Sequence, residues 1–305
     1  MRSNLLGLTI LALAWLKLGA GAVAGERSPA LTEDQIRQMI RQVAQNDQVN
    51  DKKQRDYTYV ERAEERELDK KGHVKSTEIK TYEVMDLYGD QVQRLIAKDD
   101  KPLSDQETRK EEKKIQKLME KRKDESEKDR AKRQEKEEKD RADGRKFMSE
   151  VADAFNFRLE GTDQIDGRET YIISAEPRAG YHPHSRETGV LPKFRFRAWI
   201  DREELQWRKA DIQCIDTVSF GLFLARLHKG SRVVIEQARV NGEVWLPQHV
   251  EVKLDARLAL LKGLNMDFDT TFRDYKKFRS DSKLIVGTAQ SDPAAARNAN
   301  AWVRR

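Results

Sequence analysis

The sequence predicts a mainly β fold of the α+β class, a strongly bent antiparallel sheet of roughly eleven strands with helices on one side. The first observation is alternation in the C-terminal third, where apolar residues occupy the even positions from Val250 to Leu260 and most of those from Leu264 to Phe272. A period of two places alternate side chains on opposite faces of a strand. The second observation is that the predicted helices interrupt groups of strands and do not alternate with them, which excludes a parallel α/β fold.

The N-terminal part of this fold is predicted to be one helix followed by a β-meander. Residues 31–47 have an apolar stripe at helical spacing, and Thr32 with Gln35 has the spacing of a capping box. Alternating segments follow, separated by turn signals at residues 71–72 and 89–90. The predicted strands of the meander are residues 57–67, 74–87 and 91–98.

The rest of the sheet is predicted to come from strands that follow the charged region. Asp166-Gly167 and Asn241-Gly242 are hairpin signals, because the two central residues of a tight hairpin turn must tolerate positive φ. A loop rich in Pro and Gly precedes the strand that starts at Phe194. The predicted strands are residues 157–165, 169–175, 194–200, 205–214, 231–240, 243–261, 264–272 and 283–286.

A long charged segment separates the two groups of strands. It begins at Arg109 and ends at Lys146, and 29 of its 38 residues are charged, 17 basic and 12 acidic. Mixed charges three and four residues apart favour a solvated helix with many weak ion pairs, while a coiled coil would need a sustained apolar seam that is missing here. We expect a partly helical, projecting or disordered arm. Binding of nucleic acid or anionic lipid by this arm is an open alternative, which its interspersed acids weaken.

The N-terminus has the pattern of a secretory signal peptide. Arg2 supplies the positive start, an apolar run extends from Leu5 to Leu16, and Ala22-Val23-Ala24 has the small-x-small pattern of a cleavage site. The apolar run is short for a membrane span and Lys17 interrupts it, so an uncleaved anchor is the weaker alternative. We expect cleavage after Ala24 and an exported, soluble, periplasmic protein without a stable membrane span.

Composition narrows the function classes. Lys plus Arg number 59 and Asp plus Glu number 53, so the chain is a dense mixture of both charges and its bulk charge does not indicate nucleic-acid binding. Cys214 is the only cysteine, which excludes an internal disulfide. We expect it to be a buried, inert thiol in a strand.

Catalytic and metal-binding motifs are missing from the sequence. It contains no G-x-S-x-G elbow, no Gly-rich phosphate loop and no H-E-x-x-H. His182 and His184 lack the further ligands that a zinc site needs. Asp201 and the glutamates that follow it are best explained as a charged hairpin tip. The sequence therefore predicts a non-enzymatic protein with no cofactor and no metal.

Several short motifs occur in a fixed order along residues 31–288. They are Asp56-Tyr57-Thr58-Tyr59, Gly167-Arg168 with Tyr171-Ile172-Ile173, Ala198-Trp199-Ile200-Asp201, Asn241-Gly242-Glu243-Val244-Trp245-Leu246-Pro247 and Phe272-Arg273-Asp274-Tyr275-Lys276-Lys277-Phe278. With the exported leader and the first amphipathic helix, this order resembles the LolA/LolB/RseB-like superfamily of periplasmic lipoprotein carriers, which includes outer membrane lipoprotein-sorting proteins.

The resemblance implies an unclosed antiparallel half-barrel whose concave face is covered by helices. It assigns residues 25–288 to a half-barrel domain. The leader pattern predicts a signal peptide at residues 1–24, and the small, polar composition of residues 289–305 predicts a disordered tail. The long charged helical insertion, residues 105–146, departs from the family pattern, because it interrupts the domain in the region that should form the lid.

Two functions are compatible with the resemblance. The first is a carrier for lipoprotein acyl chains or another lipid-like ligand, which needs a dry groove and no reactive group, since each buried CH₂ contributes about 0.8 kcal/mol. The alternative is an RseB-like envelope-stress or interaction component, in which the cavity is filled and the charged arm binds an envelope protein. For the carrier we expect an apolar cavity lined by Val250, Val252, Leu254, Leu258, Met266, Phe268, Phe194, Phe196 and Trp245.

Overall fold

The computed structural model describes residues 31–88, 90–220, 225–258 and 263–277, and a single antiparallel sheet dominates this part of the chain. The described residues from Thr32 onwards belong to one compact unit. The strands are β1 (Tyr57–Leu68), β2 (Val74–Leu87), β3 (Asp90–Lys98), β4 (Lys101–Pro102), β5 (Phe155–Ile165), β6 (Arg168–Pro177), β7 (Phe194–Asp201), β8 (Trp207–Cys214), β9 (Val218–Phe220), β10 (Ala225–Leu227), β11 (Arg232–Val240), β12 (Val244–Leu258) and β13 (Gly263–Lys277).

The order of the strands confirms the predicted fold class. The order is β4-β3-β2-β1-β13-β12-β11-β8-β7-β6-β5, and the short strands β10 and β9 continue from β12 outside this path. The sheet is open, because its two end strands, β4 and β5, do not pair with each other. The helices are α1 (Glu33–Gln54), α2 (Asp105–Lys123), α3 (Glu127–Ala154) and a 3-10 helix (Thr188–Lys193).

The described part has thirteen strands where the sequence predicted roughly eleven. Ten predicted strands are present, and β4, β9 and β10 are additional. Strands of two or three residues are too short to show a period of two, so the pattern could not reveal them. The predicted strand at residues 283–286, the signal peptide and the C-terminal tail lie outside the described residues.

The start of α1 confirms the predicted capping box. The Thr32 amide donates to Gln35 Oε1 at 2.8 Å, and the Gln35 amide donates to Thr32 Oγ1 at 3.3 Å. The helix continues seven residues beyond the predicted end at residue 47. This last part has a tertiary partner, because the buried Asn50 side chain bonds the backbone of Trp245.

The charged arm forms two helices, where the sequence predicted one partly helical segment. Ser104 caps α2 and forms a capping box with Glu107, and the Ser126 side chain accepts a hydrogen bond from the Asp129 amide at the start of α3. Between the helices, Glu125 pairs with Arg122 and Arg133. A serine followed three residues later by an acid is a signal for the start of a helix. The second such serine, Ser126, precedes α3, so the arm is divided at residues 124–126.

Alternate residues of each strand divide the sheet into two faces. On β5, Phe155 and Phe157 are buried, whereas Asn156 and Arg158 are exposed. Since α1 and α3 both contact β5, the face that carries Phe157 lies under the helices. We call it the helix-side face and its opposite the charged face. In an antiparallel pair of strands, two directly opposite residues lie on the same face of the sheet. The strand register therefore assigns the residues of the other strands to one face or the other.

Candidate ligand-binding face

The strand register places a row of mostly apolar residues across the helix-side face. The row crosses seven neighbouring strands from β5 to β13, so it is not the product of one hairpin. Its members, each directly opposite the next, are Phe157, Ala175, Phe196, Ile212, Val233, Val252 and Phe268. Side chains directly opposite each other have Cβ atoms about 5 Å apart, so the row is a continuous apolar band.

Most of the residues predicted from the sequence to bind a ligand lie on this face. Leu254 is opposite Met266 in the next row, and Val250 is opposite Thr270 in the row on the other side. Phe194 is opposite Cys214 at the start of β7. With Val252, Phe196 and Phe268 in the central row, the register therefore brings together seven of the nine predicted residues.

The apolar band is closed at one end and partly open at the other. At the β5 end, Phe155 and Phe157 are only 1% and 5% exposed, and the Phe155 ring centroid is 5.0 Å from that of Phe196. At the other end, Val252, Leu254 and Phe268 are only half-buried. The helix contacts account for this difference, because α1 and α3 both touch β5, whereas the bonds from α1 to β12 are made to Trp245 near the start of that strand. The helices therefore leave β13 and β1 less covered.

Two predicted residues are separate from this group. Trp245 lies beyond a register shift in the β11–β12 pair and is 2% exposed. Its backbone amide donates to Asn50 Oδ1 at 2.8 Å, and its indole Nε1 donates to Glu204 Oε2 at 2.8 Å, so it joins α1 to the sheet. The backbone of Leu258 pairs with Ala225, and its side chain lies outside the described residues.

Beyond β13 the helix-side face becomes polar. On β1, Glu65 is opposite Phe268 and Glu61 is opposite Phe272. Burial raises the pKa of Glu61, and a hydrogen bond from Gln93 offsets part of this rise. The band is therefore followed on β1 by a partly desolvated carboxyl group.

An aromatic cluster lies next to these acids. The Tyr59 ring centroid is 5.9 Å from that of Phe272 and 5.4 Å from that of Tyr275. Tyr59 and Tyr275 are half-buried, and burial raises the pKa of both hydroxyl groups.

Some residues of the helix-side face were not among the predicted site residues. They include Ile212 and Val233 in the band and Ile235 in the row beside it. The signal was available, because Val233 and Ile235 alternate with Arg232, Val234 and Glu236. Val234 interrupts the polar positions of that strand and is itself buried on the charged face, which weakened the alternation.

The charged face is held by ion pairs between neighbouring strands. Arg232 contacts Asp211 at 2.6 Å, and Lys209 contacts Glu236 at 2.6 Å. A cavity of about 650 Å³ opens on this face, with Trp199 in its wall and the Lys209 ammonium 5.4 Å from the Trp199 ring centroid. Most residues of its wall are charged or polar, among them Asp163, Lys209 and Glu236, whereas sites that hold hydrocarbon chains are lined mainly by apolar residues.

Other groups that could carry chemistry are engaged in the structure. The His184 ring lies 3.2 Å from Glu150, and Asp201 is buried in a bond with Arg168. Burial raises the pKa of the Cys214 thiol, which is buried as expected. Within the described ranges, no three His, Cys, Asp or Glu side chains converge as a metal site would require. Across the same residues, none of the helices has both the length and the apolar character of a membrane span.

The sequence matches no protein-family model and no curated protein. Among solved structures, the chain is similar to a DUF1329 family protein from Desulfovibrio piger, with 13% identity, a TM-score of 0.29 and coverage of 81% of this chain and 95% of that chain. It is similar to a putative outer membrane lipoprotein-sorting protein domain from Vibrio parahaemolyticus, with 9% identity, a TM-score of 0.32 and coverage of 80% and 95%. A LolA superfamily protein from Nitrosomonas europaea has 9% identity, a TM-score of 0.29 and coverage of 82% and 94%.

Proposed function

We propose that this protein is a non-enzymatic periplasmic carrier that binds the acyl chains of lipoproteins, or another lipid-like ligand, on the helix-side face of its sheet. The observation that carries the proposal is the apolar band, which is buried at β5 and only half-buried at Val252, Leu254 and Phe268. Half-exposed apolar residues in one continuous row are available to a hydrocarbon chain. Each CH₂ that they remove from water contributes about 0.8 kcal/mol.

The polar residues beside the band support an amphipathic ligand. Glu61 and Glu65 follow the band on β1, directly opposite Phe272 and Phe268. An acyl chain lying along β12 and β13 would place its polar end near these carboxylates. The proposed site thus has the composition that is usual for ligand sites, mostly apolar with a few polar groups at one end.

The test is native mass spectrometry with lipid extraction on the protein purified from a bacterial envelope. Wild type is expected to carry about one lipid or acylated peptide per chain. Phe268→Asp should lose this mass, because a charged group in the band must give up its hydration. Thr271→Asp is the matched control, since it adds the same charge to the same strand on the charged face and should keep the ligand.

A second variant separates loss of the ligand from loss of the fold. Val252→Trp fills the half-open end of the band and keeps it apolar, so it should lower ligand occupancy without a buried charge. Circular dichroism checks that each variant is folded. A clean apo mass for wild type, unshifted by added fatty acid or lipopeptide, would contradict the carrier function.

The alternative function is favoured by one feature, the exposure of the charged arm. Most charged side chains of α2 and of the first half of α3 are exposed, although both helices belong to the unit that contains the sheet. In this alternative the protein is an RseB-like interaction component, and residues 109–146 bind an envelope protein. An apo protein whose activity depends on the arm and not on Phe268 would support it.

A further inference from the structure

The structure separates the charges of α2 in a way that the sequence does not show. Lys110, Lys113, Lys114, Lys117 and Lys121 are spaced by three, one, three and four residues, which places them along one side of a helix. All five are exposed and surround one shallow concave surface together with Leu118. We call these five residues the lysine face.

The acids of α2 lie beside or behind the lysine face and do not neutralise most of it. Glu107 bonds Lys98 and Ser104, and Glu111 bonds Lys114 at 3.2 Å. In the described part of the chain, the other four lysines of the face have no carboxylate within ion-pair distance. The face is therefore a row of cations with little internal compensation.

The lysine face has a fixed orientation, because the opposite side of α2 is attached to the sheet. Ile115 is buried at 9% exposure. The Lys98–Glu107 bond and a contact between Glu111 Oε2 and the Leu95 amide join α2 to β3. A helix attached along its apolar side must present its lysine side to the solvent.

We propose that the lysine face binds the surface of an anionic phospholipid membrane. Lysine is a flexible point charge without the planar fork that arginine uses for bidentate recognition, so a face of lysines alone suits many interchangeable phosphates. The five lysines lie within 12 residues, and the 11 steps from Lys110 to Lys121 extend about 16 Å at 1.5 Å per residue, which matches an extended array of headgroups. Each lysine near an anionic surface strengthens binding roughly fivefold at low ionic strength.

This attachment is peripheral and does not depend on whether the apolar band holds a lipid. Leu118 at the margin of the face is half-buried, so hydrocarbon insertion contributes little. Binding should be fast, reversible and weakened by salt, because an exposed cationic face is screened over about 8 Å at physiological ionic strength.

The test is flotation of the full chain with vesicles of phosphatidylglycerol and phosphatidylethanolamine, against vesicles of phosphatidylcholine. The variant K110Q/K113Q/K117Q/K121Q removes the four unpaired charges. The matched control K128Q/K132Q/K136Q/K139Q removes four charges from one side of α3, where Glu135 lies among the lysines. Both variants keep the same N-terminus, so any contribution of the apolar leader is common to them.

Wild type and the α3 control are expected to float with the anionic vesicles at low salt and to dissociate as salt rises. The α2 variant should bind at least tenfold more weakly. Equal losses in both variants would show that only bulk charge matters, and an unchanged α2 variant would exclude the lysine face. If wild type binds polyglutamate but not anionic vesicles, the partner of the lysine face is an acidic protein and not a membrane. This result would overturn the proposal.

Discussion

At the scale of single residues, Asp201 shows how the structure can reverse the apparent exposure of a charged side chain. The sequence placed it at a charged hairpin tip, yet it is 0% exposed. Arg168 donates to it through Nε at 2.5 Å and Nη2 at 2.7 Å, and the amides of Glu203 and Glu204 donate to Oδ1. Burial alone would raise the pKa of Asp201, but the guanidinium and the two amides outweigh it and lower that pKa.

Asp201→Asn should therefore destabilise the protein by about 2–3 kcal/mol at neutral pH, since it leaves the Arg168 guanidinium without its main partner. Because the folded pKa of Asp201 lies below its unfolded value, its contribution is present above about pH 4 and is lost as pH falls further. Urea unfolding should show that the difference in free energy of unfolding between the variant and wild type is large at neutral pH and becomes small at acidic pH. Glu203→Gln is the control, because Glu203 pairs with the same Arg168 at 3.1 Å but is 80% exposed, and it should change stability by less than about 0.5 kcal/mol.

At the scale of elements, the sequence predicted the end of a helix or strand correctly when the residues that form that end are close together in the sequence. Thr32 with Gln35 predicted the start of α1, and Asn241-Gly242 predicted the turn between β11 and β12, where both residues have positive φ. The extension of α1 to Gln54 was not predictable, because it depends on bonds between Asn50 and the distant Trp245. Local patterns carry no information about such partners.

The attachment of α2 to β3 should depend on pH through Glu107. The bond from Lys98 and the cap with Ser104 lower the pKa of Glu107 to about 2. Since the folded pKa is below the ordinary value, this stabilisation is present at neutral pH and is lost as pH falls from the unfolded pKa towards the folded one. Glu107→Gln should lower hydrogen-exchange protection in the first turn of α2 roughly threefold to tenfold. This is measured as protection corrected for intrinsic exchange rates.

Glu112→Gln makes the same chemical change on the same helix and serves as the comparison. Glu112 is exposed and forms no ion pair within the described residues. In the Glu112→Gln variant, hydrogen-exchange protection in the first turn of α2 should equal that of wild type at every pH. Equal losses in the two variants would mean that α2 responds to total charge and not to its attachment at Lys98.

At the scale of the whole molecule, alternation predicted most of the candidate site but not the order of strands that assembles it. Val252, Leu254, Met266 and Phe268 were identified because β12 and β13 are adjacent in sequence and alternate strictly. The pairing of β1 with β13 joins segments about 200 residues apart, and no local pattern specifies it. That pairing also places Glu65 beside Phe268, which gives the apolar band its polar end.

The β1–β13 pairing is tested by cross-linking residues that the register places opposite each other. Ala63 is opposite Thr270 on the helix-side face, whereas Asp269 is opposite Glu64 on the charged face. Ala63→Cys with Thr270→Cys should form a disulfide on mild oxidation, since directly opposite Cβ atoms come close to the about 4 Å that a disulfide requires. Ala63→Cys with Asp269→Cys shifts the partner by one residue to the other face and should remain reduced.

Peptide mapping after oxidation distinguishes the two double variants, and Cys214 does not interfere because it is buried. Efficient cross-linking of the shifted pair would place the N-terminal meander in a different register and would move Glu61 and Glu65 away from the apolar band.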